Sequence, residues 1–208
     1  MPAATQTEQR RSRVATILGS IDTPAPTPAG PVLFLLSGLP GVGKSTFARG
    51  LAARTGALVL ESDRLRALLF GTPVHSQRES SLLFSAMRAA ASELLRRGHA
   101  VIIDATNVGE ADRQPFCRLA RRLQVPLSVV LLEAPEPVIE SRLALRSSAA
   151  DGYAFADAHV YHRMKARVEP ISGPHMRVDT SDSRAVERAL TALTAAHGAE
   201  VGKGTRTN

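Results

Sequence analysis

A glycine-rich segment followed by a lysine and two hydroxyl side chains comes directly after an apolar run. The segment is Gly38-Leu39-Pro40-Gly41-Val42-Gly43-Lys44-Ser45-Thr46, with the spacing G-x-x-x-x-G-K-[ST]. Glycines allow backbone N–H groups to close around phosphate oxygens, and the N-terminus of a following helix adds partial positive charge. We predict a loop that binds ATP, in which Lys44 contacts the β- and γ-phosphates and the Ser45 hydroxyl binds Mg²⁺. A glycine-rich turn that only begins a helix is the alternative.

A second candidate pair, Asp63 and Arg66, follows the next apolar run. Residues three apart on a helix lie on the same side, so the two side chains are predicted to face the same way. Asp63 is the candidate general base that takes the proton of an acceptor hydroxyl. Arg66 is the candidate that binds an anionic group of that substrate. An N-cap aspartate with a surface ion pair is the alternative.

Asp104 and Asn107 follow a third apolar run. Apolar residues ending in one carboxylate are a weak Walker B pattern, which predicts Asp104 near Mg²⁺ or near the Arg66 guanidinium. Asn107 is a candidate substrate-binding residue, although its spacing also suits the cap of a helix from Glu110. An Asn-Lys-x-Asp motif for guanine nucleotides does not follow, which disfavours a GTPase.

Two arginines, Arg142 and Arg146, lie four residues apart on a predicted helix. The small and polar segment 147–153 follows them. This combination is typical of a lid whose arginines bind ATP and stabilise the transferring phosphate, with Arg146 as a catalytic candidate. A solvated basic helix face is the alternative.

The elements that must position these residues alternate along the chain. Continuous apolar runs predict buried strands, and these are 32–36, 57–60, 100–103, 127–132 and, more weakly, 176–178. Helical stretches separate them at 44–54, 64–70, 76–97, 110–123, 136–146, 158–168 and 184–196. Strands regularly interleaved with helices predict a parallel sheet, and therefore a three-layer α/β fold.

Length and composition favour one such domain. The 208 residues are 44% hydrophobic, which suits a folded core, and residues 31–197 are predicted to form it. The proline-rich residues 1–30 are predicted to be a flexible leader, which at most contains a short helix at 14–18. Residues 198–208 are predicted to be a disordered tail.

The sequence also favours a location. No run is long and apolar enough to cross a membrane, and the N-terminus lacks the pattern of a secretory signal. A single cysteine cannot form an internal disulfide, so a cytoplasmic location is expected.

The formal net charge of +7 favours anionic partners such as nucleotides or nucleic acid. Only three of the 26 basic residues are lysines, however, and an arginine bias of this kind can also come from genomic composition. Basic clefts also bind ATP and small anions, so the charge alone leaves the partner open.

Together these motifs resemble the P-loop kinases of the polynucleotide 5′-hydroxyl kinase type, including the small bacterial ATP-binding, AAA-type proteins grouped with them. The segments that carry the resemblance are 38–46, Asp63-x-x-Arg66, 103–107 and 137–146. The resemblance covers about residues 32–182 and implies a five-stranded parallel sheet of order 2-3-1-4-5. Relatives often have Ser-Asp-Ala in the lid where this chain has Ala156-Asp157-Ala158, so a hydroxyl contact is missing there.

The resemblance also implies residue roles. The carboxylate matching Asp63 is the base, the arginine matching Arg66 binds the acceptor's phosphate, and the arginine matching Arg146 contacts the donor phosphates. ATP and Mg²⁺ are then expected as cofactors, and a hydroxyl-bearing acceptor, such as nucleic acid or a nucleotide, as the substrate. Small-molecule kinases for sugars, metabolites or antibiotic alcohols share these motifs and remain an alternative, as does a non-kinase ATPase.

Overall fold

The computed structural model describes residues 5–27, 29–148 and 158–204, except for the side chains of 146–148, 158, 159 and 199–204. A five-stranded parallel sheet of order β2-β3-β1-β4-β5 lies at its centre. The strands are β1 Leu33–Ser37, β2 Leu58–Glu61, β3 Val101–Asp104, β4 Leu127–Glu133 and β5 Met176–Asp179. This arrangement confirms the predicted three-layer α/β fold.

Helices cover both faces of the sheet. They are α1 Gln6–Gly19, α2 Lys44–Thr55, α3 Ser62–Phe70, α4 Gln77–Arg96, α5 Glu110–Leu123, α6 Glu136–Ser148, α7 Ala158–Lys165 and α8 Ser183–Gly204. Among the described residues, no helix is long and apolar enough to cross a membrane.

The central strand β1 shows how the sequence builds the two cores. All five of its residues are buried, because a central parallel strand is covered on both faces. Leu33 and Leu35 belong to one apolar cluster, with α1, α3, α4 and α5. Phe34 and Leu36 point the other way, into a second cluster with α2, α6, α7 and α8. Because the five strands are parallel, their carboxyl ends lie at the same edge of the sheet, between the two helical layers.

The N-terminal segment differs from the flexible leader that composition predicts. Residues 6–19 form α1, whose N-terminus is closed by a capping box between Thr5 and Glu8. The side chain of Ile17 is fully buried in the first cluster. Thr27 in the proline-rich part is also buried, and its hydroxyl accepts a hydrogen bond from the Ala100 N–H. The helix forms because Ile17 and its apolar neighbours have a core to pack against, which composition alone does not reveal.

The C-terminal end also differs from the prediction. Helix α8 runs through Gly204, whereas the sequence predicts its end near residue 196 and a disordered tail from 198. Leu190 and Leu193 anchor it in the second cluster. The domain bounds 31–197 stay a prediction.

Candidate functional site

The phosphate-binding loop connects β1 to α2 at the carboxyl edge of the sheet. At Gly38 the backbone has φ +152°, and a Cβ atom there would lie 2.5 Å from the Leu132 carbonyl oxygen. At Gly41 φ is +82°, and a Cβ would lie 2.9 Å from Ile139 Cγ2 and 3.0 Å from Leu143 Cγ. Since a side chain fits at neither position, the loop holds its shape only with glycine there.

Lys44 and Ser45 begin α2 directly behind this loop. The Lys44 ammonium donates a hydrogen bond to the Leu39 carbonyl at 2.8 Å, so its charge lies inside the loop. Thr46, the last residue of the motif, is exposed, and its hydroxyl accepts a 3.3 Å hydrogen bond from Arg49. The residues predicted to bind the ATP phosphates thus surround one loop at a helix N-terminus.

Asp104 closes β3 beside this loop. Its side chain is only 3% exposed, and its Oδ2 atom has no hydrogen-bond partner among the described residues. Burial raises the pKa of the Asp104 carboxyl, while the positive charge of Lys44 and the nearby Ser45 hydroxyl act in the opposite direction. A buried carboxylate oxygen without a partner, next to a serine hydroxyl, fits the oxygen ligands that Mg²⁺ requires.

A second carboxylate that the sequence analysis missed lies next to Asp104. Glu61 is the last residue of β2 and is paired in register with Asp104 on β3. Burial raises the pKa of Glu61, and the charges of Asp104 and Asp63 raise it further. Asp63 itself is exposed on the first turn of α3. The three carboxylates therefore share one corner of the site, but sequence spacing does not reveal strand register.

The structure places Asp63 and Arg66, which lie three residues apart on α3, in different surroundings. Asp63 is exposed, whereas Arg66 is only 7% exposed and lies between α3 and α4. Its Nη1 lies 3.5 Å from a carboxylate oxygen of Glu79, and its Nη2 donates to the Ser80 hydroxyl at 3.2 Å. The alternative of an aspartate cap is wrong, because the N-cap residue of α3 is Glu61.

Arg142 reaches the phosphate-binding loop from α6. Its guanidinium donates to the Thr180 hydroxyl and the Thr180 carbonyl, both at 2.9 Å, and to the Val42 carbonyl at 3.3 Å. Thr180 follows β5 and was not predicted from sequence. Arg146 lies on the same helix, but its side chain and residues 149–153 of the predicted lid segment 147–153 lie outside the described residues.

Asn107 is buried and links the loop after β3 to the end of β1. Its backbone is in the left-handed region, with φ +43°, and its side chain is 1% exposed. The amide donates to the Leu36 carbonyl at the end of β1, at 2.7 Å. The N-cap of α5 is Gly109, so the predicted capping role of Asn107 is wrong. Its burial favours a positioning role for Asn107 over the predicted contact with substrate.

Comparison with known proteins places this arrangement in a family. The model of a family described as an AAA domain (AAA_33) matches residues 33–171, which span every strand except β5. The chain belongs to this AAA domain family. The uncharacterized protein Rv2004c of Mycobacterium tuberculosis is 30% identical over 164 residues, which is 73% of this chain. The chain spans 32% of that relative's length.

Solved structures share the fold of this AAA domain. The APS kinase CysC of Mycobacterium tuberculosis has 18% sequence identity and a TM-score of 0.62, over 80% of this chain and 96% of that one. A gluconokinase from Sinorhizobium meliloti also has 18% identity, with a TM-score of 0.57, over 80% of this chain and 95% of that one. At these identities the likeness shows the P-loop fold.

A buried arginine that the sequence analysis missed fixes the edge of the AAA domain where Asp104 lies. Arg113 on α5 is 2% exposed. Its guanidinium donates at 2.8–3.1 Å to four carbonyls, which belong to Asn107, Val108, Glu169 and Pro170. It also forms an ion pair with Glu110, at 3.0 Å. Arg113 thus ties the loop after β3 to the segment before β5.

Replacing Arg113 by methionine should destabilise the protein by about 3 kcal/mol, because buried carbonyls then lose their donors. Urea unfolding followed by circular dichroism measures this loss as a lower midpoint at an unchanged slope. Arg122→Met, an exposed position on the same helix, is the matched control and should change stability by less than about 0.5 kcal/mol. Equal stability of the two variants would show that the Arg113 hydrogen bonds contribute nothing.

Proposed function

We propose that this AAA domain is an ATP-dependent phosphotransferase, which moves the γ-phosphoryl group of ATP to a hydroxyl acceptor. One observation carries the proposal: the buried Asp104 carboxylate, with an oxygen that lacks a partner, lies beside Lys44 and Ser45. A site that only binds phosphate needs no buried carboxylate there, since the carboxylate repels the anion. A site for Mg²⁺ and ATP requires one.

Each residue has a chemical role in this proposal. The backbone N–H groups of residues 41–45 and the Lys44 ammonium bind the β- and γ-phosphates, and Ser45 and Asp104 would hold Mg²⁺. When bound, Mg²⁺ neutralises charge on the phosphate oxygens. Asp63 accepts the proton of the acceptor hydroxyl as its oxygen bonds to the γ-phosphorus. The bond from the γ-phosphorus to the bridging oxygen breaks, and ADP leaves.

For ATP contacts from α6 we propose Arg142 and Arg146. Arg142 already lies at the loop, held by Thr180, so its guanidinium is oriented before any nucleotide binds. A preorganised donor of this kind stabilises charge without further reorganisation. Arg146 is proposed from the sequence motif alone.

We propose a 5′-hydroxyl of nucleic acid or of a nucleotide as the acceptor. The motif resemblance to polynucleotide kinases and the net charge of +7 support it. The exposed Asp63, on the first turn of α3, leaves room for a long acceptor to approach from solvent. Among the proteins that share the fold, the APS kinase structure was solved in complex with AMPPNP and APS.

Incubation of the purified chain with γ-labelled ATP, Mg²⁺ and a single-stranded oligonucleotide tests this acceptor. Label on the 5′ end of the oligonucleotide supports the proposal, and Lys44→Ala serves as the inactive control. A panel of sugars and other small alcohols is incubated in parallel. Label on a small alcohol alone would favour a small-molecule kinase, and phosphate release without any acceptor would favour an ATPase.

A small-molecule alcohol is the second candidate, and the position of Arg66 favours it. The predicted phosphate clamp is buried and held by Glu79 and Ser80, rather than open to an acceptor. Glu79 is itself held, since its carboxylate accepts a hydrogen bond from the Val74 N–H at 3.1 Å. A gluconokinase shares the fold, so an acceptor without a phosphate is compatible with it.

Two substitutions test whether Arg66 binds a phosphate group of the acceptor. If Arg66 leaves Glu79 to bind an acceptor phosphate, Glu79→Gln should lower the KM for a phosphate-bearing acceptor, because the competing charge is removed. Arg66→Ala should raise that KM by about tenfold, which corresponds to losing one charge-assisted hydrogen bond. Steady-state kinetics with acceptors that carry or lack the adjacent phosphate measure both effects. Unchanged discrimination between these acceptors in both variants would make Arg66 a structural residue only.

A further inference from the structure

Arg88 on α4 lies within electrostatic reach of Arg10 on α1 and Arg118 on α5, in the layer formed by these three helices. Helix α4 packs against α1 on one side and α5 on the other. Arg88 lies half-buried on α4, while Arg10 on α1 and Arg118 on α5 are exposed. We call these three residues the arginine patch. Its helices pack in the first apolar cluster, whereas α2, which begins at the phosphate-binding loop, packs in the second.

The arginine patch has no neutralising partner in the part of the chain that the structure describes. Ion pairs and side-chain hydrogen bonds from its three guanidinium groups are absent there. The acidic residues of the three helices are each bound elsewhere: Glu8 to Thr5, Glu79 to Val74 and Arg66, Glu93 to Arg97, Glu110 to Arg113 and Gln114, and Asp112 to Gly109.

The arrangement is electrostatically unfavourable in the protein alone. Burial lowers the pKa of Arg88, and the neighbouring charges of Arg10 and Arg118 lower it further. The positions one helical turn away from each arginine add no acid, and they add Arg13, Arg121 and Arg122. Like charges that are brought together without an acid are stabilised by a bound anion.

We propose that the arginine patch is a binding surface for the phosphate backbone of single-stranded nucleic acid. Arginine suits this partner, because its planar guanidinium binds phosphate oxygens in pairs. Spacing across three helices suits a chain of phosphates better than one small anion.

A membrane surface fits the patch less well than nucleic acid. Helices that lie on anionic membranes combine basic residues with exposed large apolar side chains, which insert among the lipids. The exposed large apolar residues of the described chain are Leu68, Val74, Leu145 and Val168, and none of them is on α1, α4 or α5. The surface therefore offers charge without an apolar anchor.

The proposal does not rest on the phosphotransferase reaction, and binding without ATP tests it. Fluorescence anisotropy of a labelled single-stranded oligonucleotide is measured with the full chain at several salt concentrations. The double variant Arg10→Gln/Arg118→Gln should bind about tenfold more weakly, because two phosphate contacts are lost. Its slope of log affinity against log salt should fall by about 1.4, at about 0.7 for each contact on a single strand.

Arg184→Gln/Arg188→Gln is the matched control, since it removes the same charge from exposed positions of α8 on the opposite face of the sheet. Its affinity should stay within about twofold of the unmodified chain. Equal losses in the two double variants would show that net charge alone drives binding and would overturn the proposal. Unchanged binding in Arg10→Gln/Arg118→Gln would overturn it too, as would equally tight binding to vesicles of anionic phospholipid.

The Lys44→Ala variant separates this inference from the proposed function. If it has lost phosphoryl transfer but binds the oligonucleotide normally, the arginine patch binds the strand independently of the phosphate-binding loop. If it loses oligonucleotide binding, the strand is held at the phosphate-binding loop, and the patch proposal fails. Absence of transfer in the unmodified chain, with binding that depends on Arg10 and Arg118, would reject the proposed function alone.

Discussion

Lys44→Ala should reduce phosphoryl transfer by more than about 10³-fold, because the proposed site uses this ammonium to bind the β- and γ-phosphates. In the structure Lys44 donates to the Leu39 carbonyl at 2.8 Å, inside the loop, instead of packing in the core. The fold should therefore survive the substitution. Transfer of label from γ-labelled ATP to the acceptor measures the activity, and circular dichroism checks the fold.

Lys165→Ala is the matched control for this experiment. Lys165 lies on α7, where its exposed ammonium pairs with Glu136 at 2.7 Å. Exposed ion pairs contribute at most about 1 kcal/mol, so activity and stability should stay near those of the unmodified chain. Activity of Lys44→Ala within tenfold of the unmodified chain would remove the basis for the phosphate-loop assignment.

Asp63→Asn should lower turnover by about 10²–10⁴-fold, the usual effect of losing a general base. The amide keeps the size of the side chain but cannot take a proton from the attacking hydroxyl at neutral pH. ATP affinity should change little, because Asp63 lies on α3 rather than on the phosphate-binding loop. Single-turnover measurements at saturating ATP separate this loss of chemistry from a loss of binding.

Glu61→Gln is the comparison that makes the Asp63 experiment specific. Glu61 pairs with Asp104 in register and is a competing carboxylate, with a pKa raised mainly by burial. If Asp63 is the base, Glu61→Gln should retain much more turnover than Asp63→Asn. The opposite order would assign the proton transfer to Glu61.

The Asp63→Asn substitution should have little effect on stability, because Asp63 is not the N-cap of α3. Its charge acts only on the helix dipole, so its loss should lower the free energy of unfolding by a few tenths of a kcal/mol, and by about 1 kcal/mol at most.

The sequence by itself predicts the features that depend on neighbouring residues. The glycine spacing of residues 38–45 specifies a loop between a strand and a helix, because φ angles and phosphate contacts are local properties. Apolar runs alternating with helical stretches predict the parallel sheet, and its order follows from the family resemblance. Asp63, Asp104 and Arg142 could be singled out in this way because each follows a recognisable element.

Only the tertiary structure decides which side chains meet across elements. The pairing of Glu61 with Asp104 depends on the register of two strands about 40 residues apart in sequence. The burial of Arg66 against Glu79 and Ser80 depends on how α3 packs on α4, whereas helical spacing predicts only that Arg66 faces the same way as Asp63. The arginine patch exists because α1 forms and packs beside α4, although its segment looks like a flexible leader in sequence. Long-range packing sets these contacts, and a single sequence carries no local signal for them.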